Sequence, residues 1–120
     1  MIIKIKVNIA TYAKNDPQNI CKENEDLHRK SSRYLVFITK KLLEFFESKN
    51  YYVLAQTNSF NYHIKHLKNK KTGKNIDIKQ ELSSNYGDRT KSTLKFKIEK
   101  KDLLYIAAIF DKLNILYELS

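Results

Sequence analysis

The sequence predicts an α+β fold: a two-layer sandwich in which a mostly antiparallel sheet carries two helices on one face, in the order β-α-β-β-β-β-α-β. Three observations predict it. In several stretches lysine and apolar residues alternate one for one, as in Ile3-Lys4-Ile5-Lys6-Val7 and Leu94-Lys95-Phe96-Lys97-Ile98. A period of two is the spacing of a strand with one face in a core and the other in water. Two other stretches, 31–49 and 100–113, repeat apolar residues at helical spacing. Between them, Lys70-Lys71-Thr72-Gly73-Lys74 and Asn85-Tyr86-Gly87-Asp88 have the composition of turns. Amphipathic helices and an amphipathic sheet satisfy each other in two layers, which leaves the second sheet face uncovered.

Each element has its own signal. Residues 2–9 read as a strand with Ile3, Ile5, Val7 and Ile9 on one face. Residues 11–30 are polar and break the alternation; Asp16-Pro17 has the form of an N-cap and first helical residue, opening a short helical turn within a long loop or helix lead-in. Over 31–49, Leu35, Ile38, Leu42, Phe45 and Phe46 form the apolar stripe of a helix. Ser31, Ser32, Asn24 or Asp26 is placed to cap it, and Asn50 to stop it. Tyr51 to Gln56 is a continuous run of β-formers, the pattern of an interior strand buried on both faces. Phe60, Tyr62 and Ile64 alternate with polar residues, as do Ile76 and Ile78, with Gly73 in the intervening turn free to take positive φ. Leu94, Phe96 and Ile98 complete the meander. Leu103, Ile106, Ala107, Phe110 and Leu113 mark a second helix, with Asp102 and Lys112 favourably placed for its dipole and Asn114 for a left-handed stop. Ile115 to Leu119 reads as a short last strand. The β-α-β segments at the two ends resemble a ferredoxin-like topology with an added hairpin, a likeness of fold that carries no function.

Length and composition narrow the function classes. The 120 residues read as a single domain, residues 1–120, large enough for a core without disulfides or metal. The lone Cys21 excludes an intrachain disulfide and suits a reducing compartment. No run reaches a membrane span, and lysines interrupt any signal-like stretch at the start. The expected location is the cytoplasm, of a cell or of an infected host cell. A net charge of +10 points to acidic partners: nucleic acid first, an acidic protein surface as the alternative. Lysine makes up twenty of the 23 basic residues. With abundant Ile and Asn and no Trp, the profile also suits codon drift in an AT-rich genome. Drift spreads evenly, however, and residues 60–101 hold twelve basic residues against four acids, while 11–30 is neutral.

The candidate site is the uncovered sheet face. With Ile3, Tyr62, Ile78 and Phe96 inward, Lys4, Lys6, His63, Lys65, Lys79, Lys95 and Lys97 point outward with Asp77. Lys68, Lys70, Lys71 and Lys74 crowd the hairpin tip. Such lysines also protect exposed strands from aggregation. As a ligand site they suit phosphate contacts; the scarcity of arginine argues against base reading. Tyr12 and Tyr86 are the candidates to stack on unpaired bases.

Enzymatic and metal readings are weaker. His63 and His66 are three apart on a strand and face opposite ways, and Cys21 with His28 has no second pair to complete a zinc set. Asp77-Ile78-Lys79 has half of a metal-nuclease motif, but residues 51–76 hold no acid to share the metal. Two glycines cannot build a phosphate cradle, and no local motif pairs Cys21 with a histidine base. The expectation is a non-enzymatic binding protein without cofactor. Other readings are a regulatory or inhibitory interaction module, phage-encoded in one version, and a homo-oligomer joined through Ile115–Leu119.

Overall fold

The computed structural model describes residues 1–59, 62–81 and 92–120. Phe60, the turn 85–88 and its Tyr86 lie outside the described residues. The chain runs β1 (Ile2–Asn8), α1 (Ile9–Ala13), α2 (Leu27–Ser48), β2 (Tyr51–Asn58), β3 (Tyr62–Asn69), β4 (Asn75–Glu81), β5 (Thr93–Glu99), a 3-10 turn (Lys100–Asp102), α3 (Leu103–Lys112) and β6 (Glu118–Leu119). The six strands form one antiparallel sheet in the order β2-β3-β4-β5-β1-β6, so the fold is a two-layer α+β arrangement. Alternating pair directions make β1 parallel to β2 and β5 parallel to β6. Each long helix therefore links two parallel strands with others between them: α2 crosses three strands and α3 crosses β1.

The core lies between the helices and the middle of the sheet. Ile5 stands opposite Phe96, Val7 opposite Leu94, and Ile78 opposite Phe96, all on the helix side and all buried. α2 presents Tyr34, Leu35, Ile38, Leu42 and Phe46, and α3 adds Ile106 and Phe110. Phe96 meets Phe46 and Phe110 edge-on, with ring centroids 6.4 and 6.3 Å apart. Thr39 Oγ1 accepts from Gln80 Nε2 at 2.6 Å, a polar tie between α2 and β4.

The helix ends follow the expected chemistry. Asp26 caps α2 by accepting from the Arg29 amide at 2.8 Å. Asn50 (φ 72°) ends that helix turn and Asn114 (φ 56°) ends α3. After α3, the Ile115 amide reaches back to the Phe110 carbonyl at 2.8 Å, the six-to-one bond of a left-handed helix stop. That bond holds Ile115 in the core, so the last strand is two residues long, not five.

Four expectations are corrected. Ile9 is not the last residue of the first strand but the first of helix α1, because Asn8 Oδ1 accepts from the Thr11 amide and turns the chain. Asp16-Pro17 opens no helix: Asp16 sits at φ 44° and uses its carboxylate on the Ile20 and Cys21 amides, 2.9 and 3.1 Å away, and on the Tyr34 hydroxyl. β2 is not interior. It is the outermost strand, with Val53 42% and Leu54 56% exposed. The phase of β3 is reversed. Leu67, 2% exposed between Val53 and Ile76, is the residue under the helices. Period two then puts His63 and Lys65 on the helix side, with Tyr62, Ile64 and His66 on the open face.

Candidate nucleic-acid interface

The open face is assembled by register. Lys4 faces Lys97 and Lys6 faces Lys95 across β1 and β5; Lys95 faces Lys79 across β5 and β4. Directly opposite residues in an antiparallel pair hold their Cβ atoms roughly 4.5–5.5 Å apart, and like charges there repel. These five lysines line one shallow depression together with Ile64, Asn75 and Asp77.

Acids intervene at its margins. Glu81 binds Lys79 at 2.9 Å and Lys95 at 3.2 Å, and the Lys79 hydrogen bond foremost holds its carboxyl below the usual range. Glu99 binds Lys74, and Lys101 at 3.4 Å, and its carboxyl is likewise lowered, chiefly by Lys74. Asp77 accepts from His66. Glu118 stands opposite Lys6 across β6. Among the described residues, Lys4, Lys6 and Lys97 form no ion pair, and they are exposed. Among the described residues, Lys4 and Lys97 thus have neither an ion pair nor an acid directly across a strand, Lys6 has Glu118 across from it, and the lysines at the rim are neutralised.

The expected site residues divide into three groups. Lys4, Lys6, Lys79, Lys95 and Lys97 are brought together. Lys68 shares the open face, and Lys70 and Lys71 project from the β3–β4 turn beside it. That turn is rigidly built: Asn69 Oδ1 accepts from the Lys71 and Thr72 amides at 2.8 and 3.0 Å, and Gly73 takes φ 73°. Lys74, on the same turn, is held by Glu99. Lys65 is excluded. It lies on the helix side opposite Ile78, and its Nζ donates to Gln56 Oε1 at 2.8 Å.

Tyr12 is also withdrawn from the site. Its hydroxyl donates to the Leu113 carbonyl at 2.5 Å and receives Gln18 Nε2 at 3.0 Å, on the helical side of the molecule. Beside it the fully buried Tyr34 donates to Asp16 Oδ1 at 2.6 Å and accepts the Gln18 amide at 2.8 Å. The Tyr34 bond is the main cause that lowers the Asp16 carboxyl. Burial first, then that bond, pushes the Tyr34 phenol up. The segment after α1 is thus pinned to α2 and to the end of α3, and its role here is structural.

Two features of the face were missed in the sequence. Tyr62 lies on it with Lys79 Nζ 4.8 Å from its ring centroid; the reversed phase of β3 hid it. His66 bridges three strands, with Nδ1 2.9 Å from Asp77 Oδ1 and Nε2 2.7 Å from Thr57 Oγ1. The order Asp, His, hydroxyl is that of a hydrolytic relay. Asp77 is 59% exposed, so water stands at the relay, whereas acyl transfer draws on donors fixed in a water-excluding site. The two hydrogen bonds tie β2, β3 and β4 together across the open face. Among the described residues no three His, Cys, Asp or Glu side chains gather to hold a metal ion. None of the described helices is long and apolar enough to cross a membrane. Compared with known proteins, the chain matches no family model, no curated protein and no solved structure.

Proposed function

We propose that this chain is a non-enzymatic binding protein that engages the phosphate backbone of a nucleic acid through its open sheet face. The observation that carries the reading is the opposition of Lys4 to Lys97 and Lys6 to Lys95, with no ion pair on Lys4, Lys6 or Lys97 among the described residues. Lysines on directly opposed residues repel one another, and a row of phosphates relieves the repulsion while releasing counterions. Tyr62 at the side of the depression offers a ring to an unpaired base. Lys68, Lys70 and Lys71 extend the basic surface at one end. Lysine in place of arginine makes this a contact with backbone charge, weak in sequence preference.

The test is a titration of labelled single-stranded and duplex DNA and RNA at roughly 50 and 200 mM salt, with a Lys4, Lys6, Lys97→Ala triple variant alongside. Binding should weaken steeply with salt, and on duplex DNA the variant should flatten the log–log slope by about 2 to 3. No binding at the lower salt, or an unchanged slope in the variant, sinks the proposal. A partner that survives nuclease treatment and competes for the same lysines would transfer the face to an acidic protein.

A further inference from the structure

The sheet does not close fully between β4 and β5. Their pairing runs from Glu81–Thr93 to Ile78–Phe96 and stops. Both strands continue past that point, β4 to Asn75 still paired with β3, and β5 to Glu99 still paired with β1. Continued register would set Ile76 against Ile98 and Asn75 against Glu99, yet neither pair forms. Two interior strands therefore part from each other while staying joined on their far sides. A cleft of about 980 Å³ occupies the gap. Its lining draws on both phases of the sheet: Tyr51, Ile76 and Ile98 from the helix side, Lys4, Lys97, Asn75 and Glu99 from the open face. A cleft lined by both phases passes between strands and not merely along a face. Phe46 of α2 fixes the Tyr51 ring edge-on from the helix side, with centroids 5.6 Å apart. The Lys74–Glu99 ion pair ties the β3–β4 turn to the end of β5 across the gap. The cleft is continuous with the lysine depression, sharing Lys4, Lys97, Asn75 and Ile76 with it.

We propose that the gap between β4 and β5 receives an unpaired nucleobase of the strand whose phosphates lie on Lys4 and Lys97, a site that rests on the phosphate reading of those lysines and makes the ligand single-stranded. Chemistry selects the occupant. Tyr51, Ile76 and Ile98 give the cleft apolar walls for the faces of a flat ring. Asn75 and Glu99 offer an amide and a carboxylate to the polar edge of that ring. Lys4 and Lys97, which form no ion pair among the described residues, stand beside it for an anion. A nucleotide carries these three parts in one unit, and mainly apolar walls with a few placed polar groups are the usual make-up of a small-ligand site. A base inside a duplex is stacked and paired, and must be extruded at an energetic cost before it can enter such a site. A single strand has no such cost. Tyr62 stands opposite Glu81 and the gap opens at Asn75, so the two lie at opposite ends of β4. A strand crossing the lysines between them meets an exposed ring at one end and a slot at the other.

The experiment changes the ligand before it changes the protein. A short deoxyadenosine oligonucleotide is titrated into the full chain beside an abasic oligonucleotide of the same length, which keeps the phosphates and lacks the bases. The intact strand should bind about tenfold more tightly, with the same salt slope as the abasic one. In nuclear magnetic resonance spectra, ring currents from the base should move the Ile76 methyl signals with the intact strand and leave them in place with the abasic one. Asn75→Trp puts a bulky strand-forming residue at the mouth of the cleft. It should bind both oligonucleotides alike, at the parent's salt slope. Equal affinity of the parent for the two strands overturns the base site and leaves the phosphate reading standing. A base-dependent gain that moves Tyr62 signals and not those of Ile76, or that survives Asn75→Trp, overturns the site as well. Failure of both strands to bind at low salt removes the site together with the reading beneath it.

Discussion

β1 and β5 form one antiparallel pair of the sheet, and β2 and β3 form another, yet the two pairs live in different solvents. The first lies under α2 and α3, and its helix-side residues Ile5, Val7, Leu94, Phe96 and Ile98 are all buried. The second reaches past the helices. There only Leu67 and Asn69 are buried, and the same sheet face carries Gln56, Asn58, His63 and Lys65, linked by their own hydrogen bonds. Strand pairing alone does not make an inside; a covering layer does. Where the helices stop, polar side chains take the inward phase without desolvation cost, and apolar ones lose most of the gain that burial brings.

That contrast can be broken at several points. The largest effect belongs to the covered pair: Phe96→Ala removes a ring packed between Phe46 and Phe110 and should cost about 3–5 kcal/mol. Val53→Ala, on the uncovered pair, should stay near the surface norm of about 0.5 kcal/mol. Urea unfolding of both variants decides the matter, and equal losses would abolish the distinction. Next comes Tyr34→Phe, which strands the Gln18 amide and removes the donor to Asp16; a loss of about 1–3 kcal/mol is expected by the same assay.

A smaller effect separates function from drift. Lys97→Glu replaces one of two opposed lysines and should raise stability by about 0.2–1 kcal/mol while weakening nucleic-acid binding. A chain whose charge is only compositional would gain stability and lose no affinity. Smallest is the acid response of the loop. The Asp16 carboxyl is lowered in the folded state, so its contribution is complete above the unfolded value near 3.8 and fades as pH falls through the lower folded value. The urea midpoint should therefore decline below about pH 4, and less in Asp16→Asn than in the parent.

What could be read in the sequence follows the same boundary. β1, β5 and the stripe of α2 were legible because each has apolar residues in a single phase, and that phase is the covered one. The stops at Asn50 and Asn114 and the turn at Gly73 were legible because positive φ favours those residue types. β3 misled because Tyr62 and Ile64 occupy one phase and Leu67 the other; only the helix position decides between them. β2 misled because an unbroken apolar run looks the same at an edge as in a centre. α1 is five residues attached to an alternating strand, too short for a helical period to register. Among the site residues, the lysines of β1 and β5 were placed correctly by alternation. Lys65 and Tyr12 were not, since Lys65 depended on the phase of β3 and Tyr12 on a carbonyl at Leu113, remote in the chain.

The place of β1 in the sheet has a consequence for how the molecule is made. Its two neighbours are β5 and β6, both drawn from the last third of the chain. As the polypeptide leaves the ribosome, the β2–β3–β4 meander can zip locally, but Ile3, Ile5 and Val7 wait without strand partners until residues 93–119 have emerged. Folding of the core therefore requires contacts between segments far apart in sequence, which are slow to form. Until then the first strand is an exposed apolar ribbon, and the lysines threaded through it keep nascent chains apart.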